Sequence, residues 1–255
     1  MTVAAVSTLK RAPHSRARTR AKPHAVSLAA VCRARRIVRE LGGRFSIELG
    51  IEVDHDPGEV ERWALAATLF GNRIPTEVAM RTYRVLERAG VRTIEDAGLR
   101  TGPELVAVLD QGGYVRYDER TAARLLALAD VLVDRYDGRV AALGEQIADP
   151  ADLEHALRDL PGWGPVTVHV FLRELRGVWP GAAMELDDRT VRAARHLDFP
   201  TELDGLSELA TAAHLGIRDL EAALVRLSLC HRLEGCPGGE ECPLACLDPQ
   251  QLKHF

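Results

Sequence analysis

The stretch that most constrains this chain is Leu160-Pro161-Gly162-Trp163-Gly164-Pro165, set between two runs of helical periodicity. Ahead of it, Asp149-Pro150 reads as a helix start, because Asp caps well and Pro suits the first helical position. Leu153, Leu157 and Leu160 then recur at helical spacing. Behind it, Pro165 again suits a first turn, and Val166, Val170 and Phe171 make an apolar face for a second helix. The glycines at 162 and 164 hold nothing away from the turn, so backbone N–H groups at the second helix's start can approach an anion. A nucleic-acid phosphate suits such a turn, bound through its backbone and without sequence preference. The other reading of the same residues is an ordinary αα-hairpin whose glycine ends the first helix.

Similar punctuation runs along the chain. Val26 to Leu41 has helical spacing and stops at Gly42-Gly43; Asp56-Pro57-Gly58-Glu59 starts a helix through Trp63 to Phe70. Further helices are expected at Pro75 to Ala89, Pro103 to Leu109 and Asp118 to Tyr136, closed by Gly90, Gly112-Gly113 and Gly138. Only Phe45, Ile47, Leu49, Ile51 and Val53 alternate strictly, which predicts a short strand or extended segment. The expected fold class is therefore all-α. A chain of 255 residues, 46% apolar and with no apolar run near membrane-span length, has enough material for one large core or two modest ones. The first residues show no secretory-type apolar core with a cleavage site, and the expectation is an intracellular chain.

The net charge of −4 hides an asymmetry. Ten of the 33 basic residues and none of the 37 acidic ones fall at or before Arg39, leaving 23 against 37, or −14, for the rest. Lys10, Arg11, Arg16, Arg18, Arg20 and Lys22 read either as a disordered arm lying along phosphates or as a solvated tail. The acidic remainder counts against nucleic-acid binding unless its arginines cluster on one face. The lysines are Lys10, Lys22 and Lys253, so the middle of the chain offers no amine for Schiff-base chemistry.

The hairpin followed by Leu186-Asp187-Asp188-Arg189-Thr190-Val191-Arg192 resembles the helix-hairpin-helix DNA glycosylases, the superfamily of endonuclease III, the adenine glycosylase and the alkyl-base glycosylases. The resemblance spans roughly residues 60 to 246. It implies two helical domains with an active-site cleft between them: a six-helix barrel over 59–185, carrying the hairpin 160–165, and a terminal domain from 26–58 and 186–255. It implies a base-excision repair enzyme that flips a damaged or mismatched base out of double-stranded DNA, acting as a monomer in the cytoplasm at the nucleoid. Residues Gly162, Trp163, Gly164 and Thr167 would meet DNA. In Leu69-Phe70-Gly71-Asn72-Arg73-Ile74-Pro75, Asn72 stands where the family has an amide that fills the gap left by the base, with Arg73 beside it; a capping role is the other reading. Tyr114, Arg116 and Tyr117 lie where the family has a further DNA-facing turn, and the tyrosines would stack on bases, although a Tyr beside a helix start is more often simply packed.

Cleavage of an N-glycosidic bond builds positive charge on the sugar, which calls for a carboxylate. Asp187 and Asp188 are the candidates. In the family the catalytic Asp caps a helix and an aliphatic residue follows three positions later, a register that favours Asp188, with Val191; a plain N-cap is the alternative. Members that also cut the strand carry a lysine where this chain has Val166. The resemblance thus implies a monofunctional enzyme without lyase activity, and Gly164-Pro165-Val166-Thr167 matches the alkyl-base branch. On the same helix, His169 reads as packed or solvated.

Cys230, Cys236, Cys242 and Cys246 lie within 17 residues and read as a metal site. Four thiolates suit a [4Fe–4S] cluster or a tetrahedral zinc. The endonuclease III branch carries an iron–sulfur loop at this place, spaced C-x6-C-x2-C-x5-C, which favours the cluster; here the spacing is C-x5-C-x5-C-x3-C. Cys32 stands apart, as a small core residue. Two further readings stay open: a DNA-structure-binding protein without catalysis, and a zinc-bound interaction module.

Overall fold

The computed structural model describes residues 26–246, with side chains to residue 244. The basic arm expected over 1–25 lies outside the described residues. The chain is all-α, with no strand among the described residues. In order the helices are α1 (Leu28–Leu41), α2 (Phe45–Glu48), α3 (Pro57–Phe70), α4 (Thr76–Arg88), α5 (Ile94–Gly98), α6 (Gly102–Gly112), α7 (Asp118–Tyr136), α8 (Ala141–Gln146), α9 (Pro150–Arg158), α10 (Pro165–Leu175), α11 (Asp188–His196), α12 (Leu203–Ala212), α13 (Ile217–Cys230) and α14 (Pro243–Cys246). Local chemistry sets many of the boundaries. Asp56 and Asp149 cap α3 and α9 by accepting backbone N–H bonds, and a Pro follows each. Thr93 with Asp96 and Thr101 with Glu104 make the capping boxes that start α5 and α6.

The segment 45–53 corrects the expectation of a strand. It opens with α2 and closes in a turn through Gly50, with Ile51 N donating to Ser46 O at 2.9 Å. Phe45, Leu49, Ile51 and Val53 are buried, but Ile47 is 49% exposed, so the alternation does not describe one buried face. The cause lies far along the chain. The buried carboxylate of Glu174 accepts from Phe45 N at 3.0 Å, a backbone donor that a helix start leaves free, and from the Ser46 hydroxyl at 2.8 Å.

Two hydrophobic clusters organise the packing. The larger one surrounds α3, which is buried on nearly all sides from Val60 to Leu69, and draws on α4 to α10 and on Met184. Phe45 to Val53, assigned to the terminal domain on sequence, pack into this cluster. The second cluster joins α1, α11, α12 and α13 through Ala34, Ile37, Leu197, Leu206, Leu224 and Leu227, and includes Cys242 and Leu244. Buried ion pairs tie α13 and the α1–α2 turn to α10. Arg176, just after α10, holds Glu221 of α13 at 2.7 and 2.9 Å, and Arg44 holds Glu174 at 2.9 Å. Removing one partner of such a pair costs about 3–5 kcal/mol, because the other is left charged and dry. No helix among the described residues is long and apolar enough to cross a membrane.

Candidate active site and metal centre

The hairpin forms as a turn pinned from below. Trp163 N donates to Leu160 O at 3.1 Å, Gly162 takes φ 82°, and Gly164 precedes α10 in extended backbone. Trp163 is buried: its indole N–H donates to Thr68 Oγ1 at 3.0 Å and its ring meets Phe171 edge-on at 4.9 Å. Trp63 adds a second indole bond from α3, to Phe171 O at 3.1 Å. Thr167 is also buried, packed against Gly71, where any side chain would collide with its hydroxyl. These positions correct two expected DNA contacts. Trp163 and Thr167 fix the hairpin to the core, while Gly162, Gly164, Pro165 and Val166 remain exposed.

Three turns meet at this edge. Asn72 is half-buried; its amide donates to Tyr114 Oη at 2.9 Å, and Arg124 Nη1 donates to its carbonyl at 3.5 Å. The aliphatic part of Arg124 covers Gly162, so one arginine of α7 links the hairpin to the 69–75 turn. Tyr114 is fully buried and donates to Leu69 O at 2.6 Å, with burial pushing its phenol up to about 12. It is a strut rather than a stacking platform, which corrects its expected contact with bases. Arg73 and Arg116 are exposed, the latter 5.4 Å from the centre of the Tyr117 ring. Sequence reasoning missed Arg124, whose surroundings on α7 carry no motif.

The two candidate carboxylates differ sharply. Asp187 is the N-cap of α11 and accepts from Thr190 N at 2.7 Å, whereas Asp188 is the exposed first helical residue. The helix-capping position is thus Asp187, whereas the aliphatic residue three positions later, Val191, is in register with Asp188. Asp187 faces α10, with its Oδ2 3.9 Å from Arg173 Nη1. Burial opposes its ionisation, but the Arg173 guanidinium, the Thr190 N–H and hydroxyl, and nearby His169 outweigh it, holding the carboxyl below the ordinary carboxylate value. In turn burial, with Arg173 and Arg176, depresses His169 against the pull of Asp187 and Glu154. Arg173 is the unusual member of the group. It is buried, none of its guanidinium nitrogens has a hydrogen-bond partner, and it lies 5.5 Å from the centre of the Phe45 ring. Sequence periodicity gives no sign of it, since an Arg on α10 reads as a solvated face. Two hollows on the described surface, about 580 Å³ between α6 and α7 and about 360 Å³ against the α1 arginines, are lined by other residues than these aspartates.

At the other end of α11 a second group assembles. His196, the last residue of α11, meets His231, Cys236 and Cys242, with one donor atom from each lying within 4.8 Å of all the others. Cys242 is fully buried and its Sγ is 3.7 Å from His231 Nε2. The imidazole rings lie 5.4 Å apart at 59°. Burial lowers the affinity of both histidines for a proton, His231 adding to the effect on His196, which leaves lone pairs for coordination. The loop is shaped for close approach. Gly238, at φ 76°, has no room for a Cβ, which would stand 2.5 Å from His196 O, and Glu240 is bonded by Arg33 of α1 at 3.2 Å. This group is able to hold a metal ion. Of the four expected cysteine ligands it contains Cys236 and Cys242. Cys230 stands outside it, with its thiol 3.8 Å from Leu227 O, and the Cys246 side chain lies outside the described residues. Neither histidine was foreseen; His231, adjoining Cys230, was the one readable hint.

No family model matches this chain, and no curated protein matches it in sequence.

Proposed function

We propose that this chain is a monofunctional DNA glycosylase that hydrolyses the N-glycosidic bond of a damaged or mismatched base in double-stranded DNA. The observation that carries this reading is the half-buried Asp187, its carboxyl held below the ordinary carboxylate value, set alongside α10, the helix that the glycine hairpin opens. DNA phosphates lie on the exposed backbone at Gly162 and Gly164, with Arg73, Arg116 and Arg124 supplying positive charge at the same edge. Asn72, held by Tyr114 and Arg124, keeps a fixed amide where a wedge is needed. Departure of the base leaves positive charge on the deoxyribose, and Asp187 beneath the sugar stabilises it. A carboxylate held below its ordinary value is a poor base, so Asp187 acts chiefly as an anion that also orients the attacking water. Val166 stands where a lysine would be needed for strand cleavage, and water is therefore the nucleophile. A metal ion bound at the far end of α11 serves the same site indirectly, by fixing the helix whose first turn carries Asp187.

The test is base release from a panel of duplex oligonucleotides bearing alkylated, oxidised, deaminated and mismatched bases, read with and without alkali. Strand breaks that appear only after alkali, and vanish in Asp187→Asn, are expected. Breaks without alkali would refute the hydrolytic mechanism. No release from any duplex, with salt-dependent DNA binding retained, would make the chain a non-catalytic DNA-structure-binding protein.

A further inference from the structure

The structure assigns the C-terminal loop to a single zinc ion held by His196, His231, Cys236 and Cys242, in place of the four-cysteine iron–sulfur cluster that the family resemblance implies. The assignment stands apart from the glycosylase reading, because it rests on the donor group alone.

Distance decides first. Zinc bonds of about 2.0–2.3 Å in a tetrahedron put donor atoms about 3.3–3.8 Å apart. The His231 and Cys242 donors are already at 3.7 Å, and all four lie within 4.8 Å of one another. A cubane places its four ligands on four different irons, so they stand farther apart than the ligands of one ion, and each is normally a thiolate. Here half the donors are imidazoles. Charge decides next. Two thiolates and one Zn²⁺ sum to zero with neutral histidines, which suits a site whose Cys242 sits in the apolar cluster with Leu244. His196 adds an independent sign: its Nε2 is buried without a hydrogen-bond partner. A buried imidazole nitrogen left bare in this way is costly unless something binds the ring. The backbone conforms as well, since Gly238 and Gly239 both take positive φ and let the loop close onto the end of α11.

The ligands come from the end of α11, the residue after α13 and the loop that follows it, so the ion ties the C-terminal loop to the end of α11. In this arrangement Cys230 and Cys246 are dispensable for the metal.

The experiment is metal analysis of the full chain purified without oxygen from cells supplied with iron and zinc, followed by cobalt substitution. A colourless protein with about one zinc per chain is expected, and its cobalt form should show the intense visible bands of a tetrahedral site with thiolate charge transfer. Cys230→Ser and Cys246→Ser should keep one ion and those bands, while Cys236→Ser and His196→Ala lose them. The two retained-site variants make the test independent of whether the ligand variants fold. A brown protein with about four irons, lost in Cys230→Ser or Cys246→Ser, would overturn the assignment. So would a metal-free chain that takes up neither zinc nor cobalt on titration.

Discussion

The two ends of α11 are built on opposite plans. At its start, Asp187 is held by its own helix through Thr190 N–H and balanced by one arginine from the neighbouring α10. At its end, His196 has no hydrogen-bond partner at Nε2 and finds its companions just beyond α13. The first site is an anion kept charged by nearby cationic and N–H groups; the second is a set of lone pairs with no cation of the protein's own among them. A carboxylate under tension with burial suits transition-state chemistry, while convergent soft donors suit a metal that fixes structure. One helix thus connects a proposed reacting group to a proposed staple.

The sharpest way to break this comparison is to exchange the roles of the adjacent aspartates. Asp187→Asn should lower base release by roughly 10²–10³-fold, the scale of losing an electrostatic group aimed at developing charge. Asp188→Asn, altering an exposed side chain, should leave the rate within a few-fold of the parent. Equal losses in both, measured in single-turnover assays on the best duplex, would mean that capping geometry does not mark the reacting group.

Metal removal probes the opposite end. An ion present at about a thousand times its dissociation constant adds about 4 kcal/mol to stability, so a strong chelator should lower the denaturant midpoint accordingly and zinc should restore it. An unchanged midpoint would show that the donor group at His196 contributes nothing to folding. A smaller effect is expected at the hairpin. Gly164 takes φ −88° with open space around it, so Gly164→Ala should fold with unchanged stability yet bind duplex DNA about tenfold more weakly, or about 1.4 kcal/mol, by crowding the phosphate. Undiminished affinity in a salt titration would remove Gly164 from the interface.

What the sequence made legible follows the same division. The hairpin, the Asp-Pro caps and the glycine stops are contiguous, and each is decided by the preferences of a few neighbouring residues. Segment 45–53 misled because its helix start is satisfied by Glu174, a partner that no local pattern announces. Trp163 and Tyr114 were expected at DNA from the resemblance of their turns alone; the partners of their N–H and O–H, Thr68 and Leu69, lie on α3 beneath the hairpin, which no local pattern announces. The metal donors were half legible for a similar reason: cysteines announce themselves by clustering, but His196 joins them only after α11 and α13 have packed.

Arg173 offers the finest adjustment of the contrast between the two ends. Its guanidinium is the leading group that offsets burial at Asp187, where the Thr190 N–H and hydroxyl and His169 assist. Arg173→Met should therefore let burial dominate and raise the Asp187 carboxyl. A depressed carboxylate contributes stability above its unfolded value and loses it as pH falls through the folded one. With the arginine gone and burial dominant, that stabilisation is absent, so acid should cost the variant less stability through this group than it costs the parent, while the acid limb of base release should move to higher pH. At about pH 5 the variant should run several-fold slower, relative to its own rate at about pH 7, than the parent does. Because Met keeps the contact with Phe45 but not the charge, a parallel fall at both pH values would point to lost packing. An unshifted acid limb would show that Thr190 and His169 suffice to keep Asp187 ionised without Arg173.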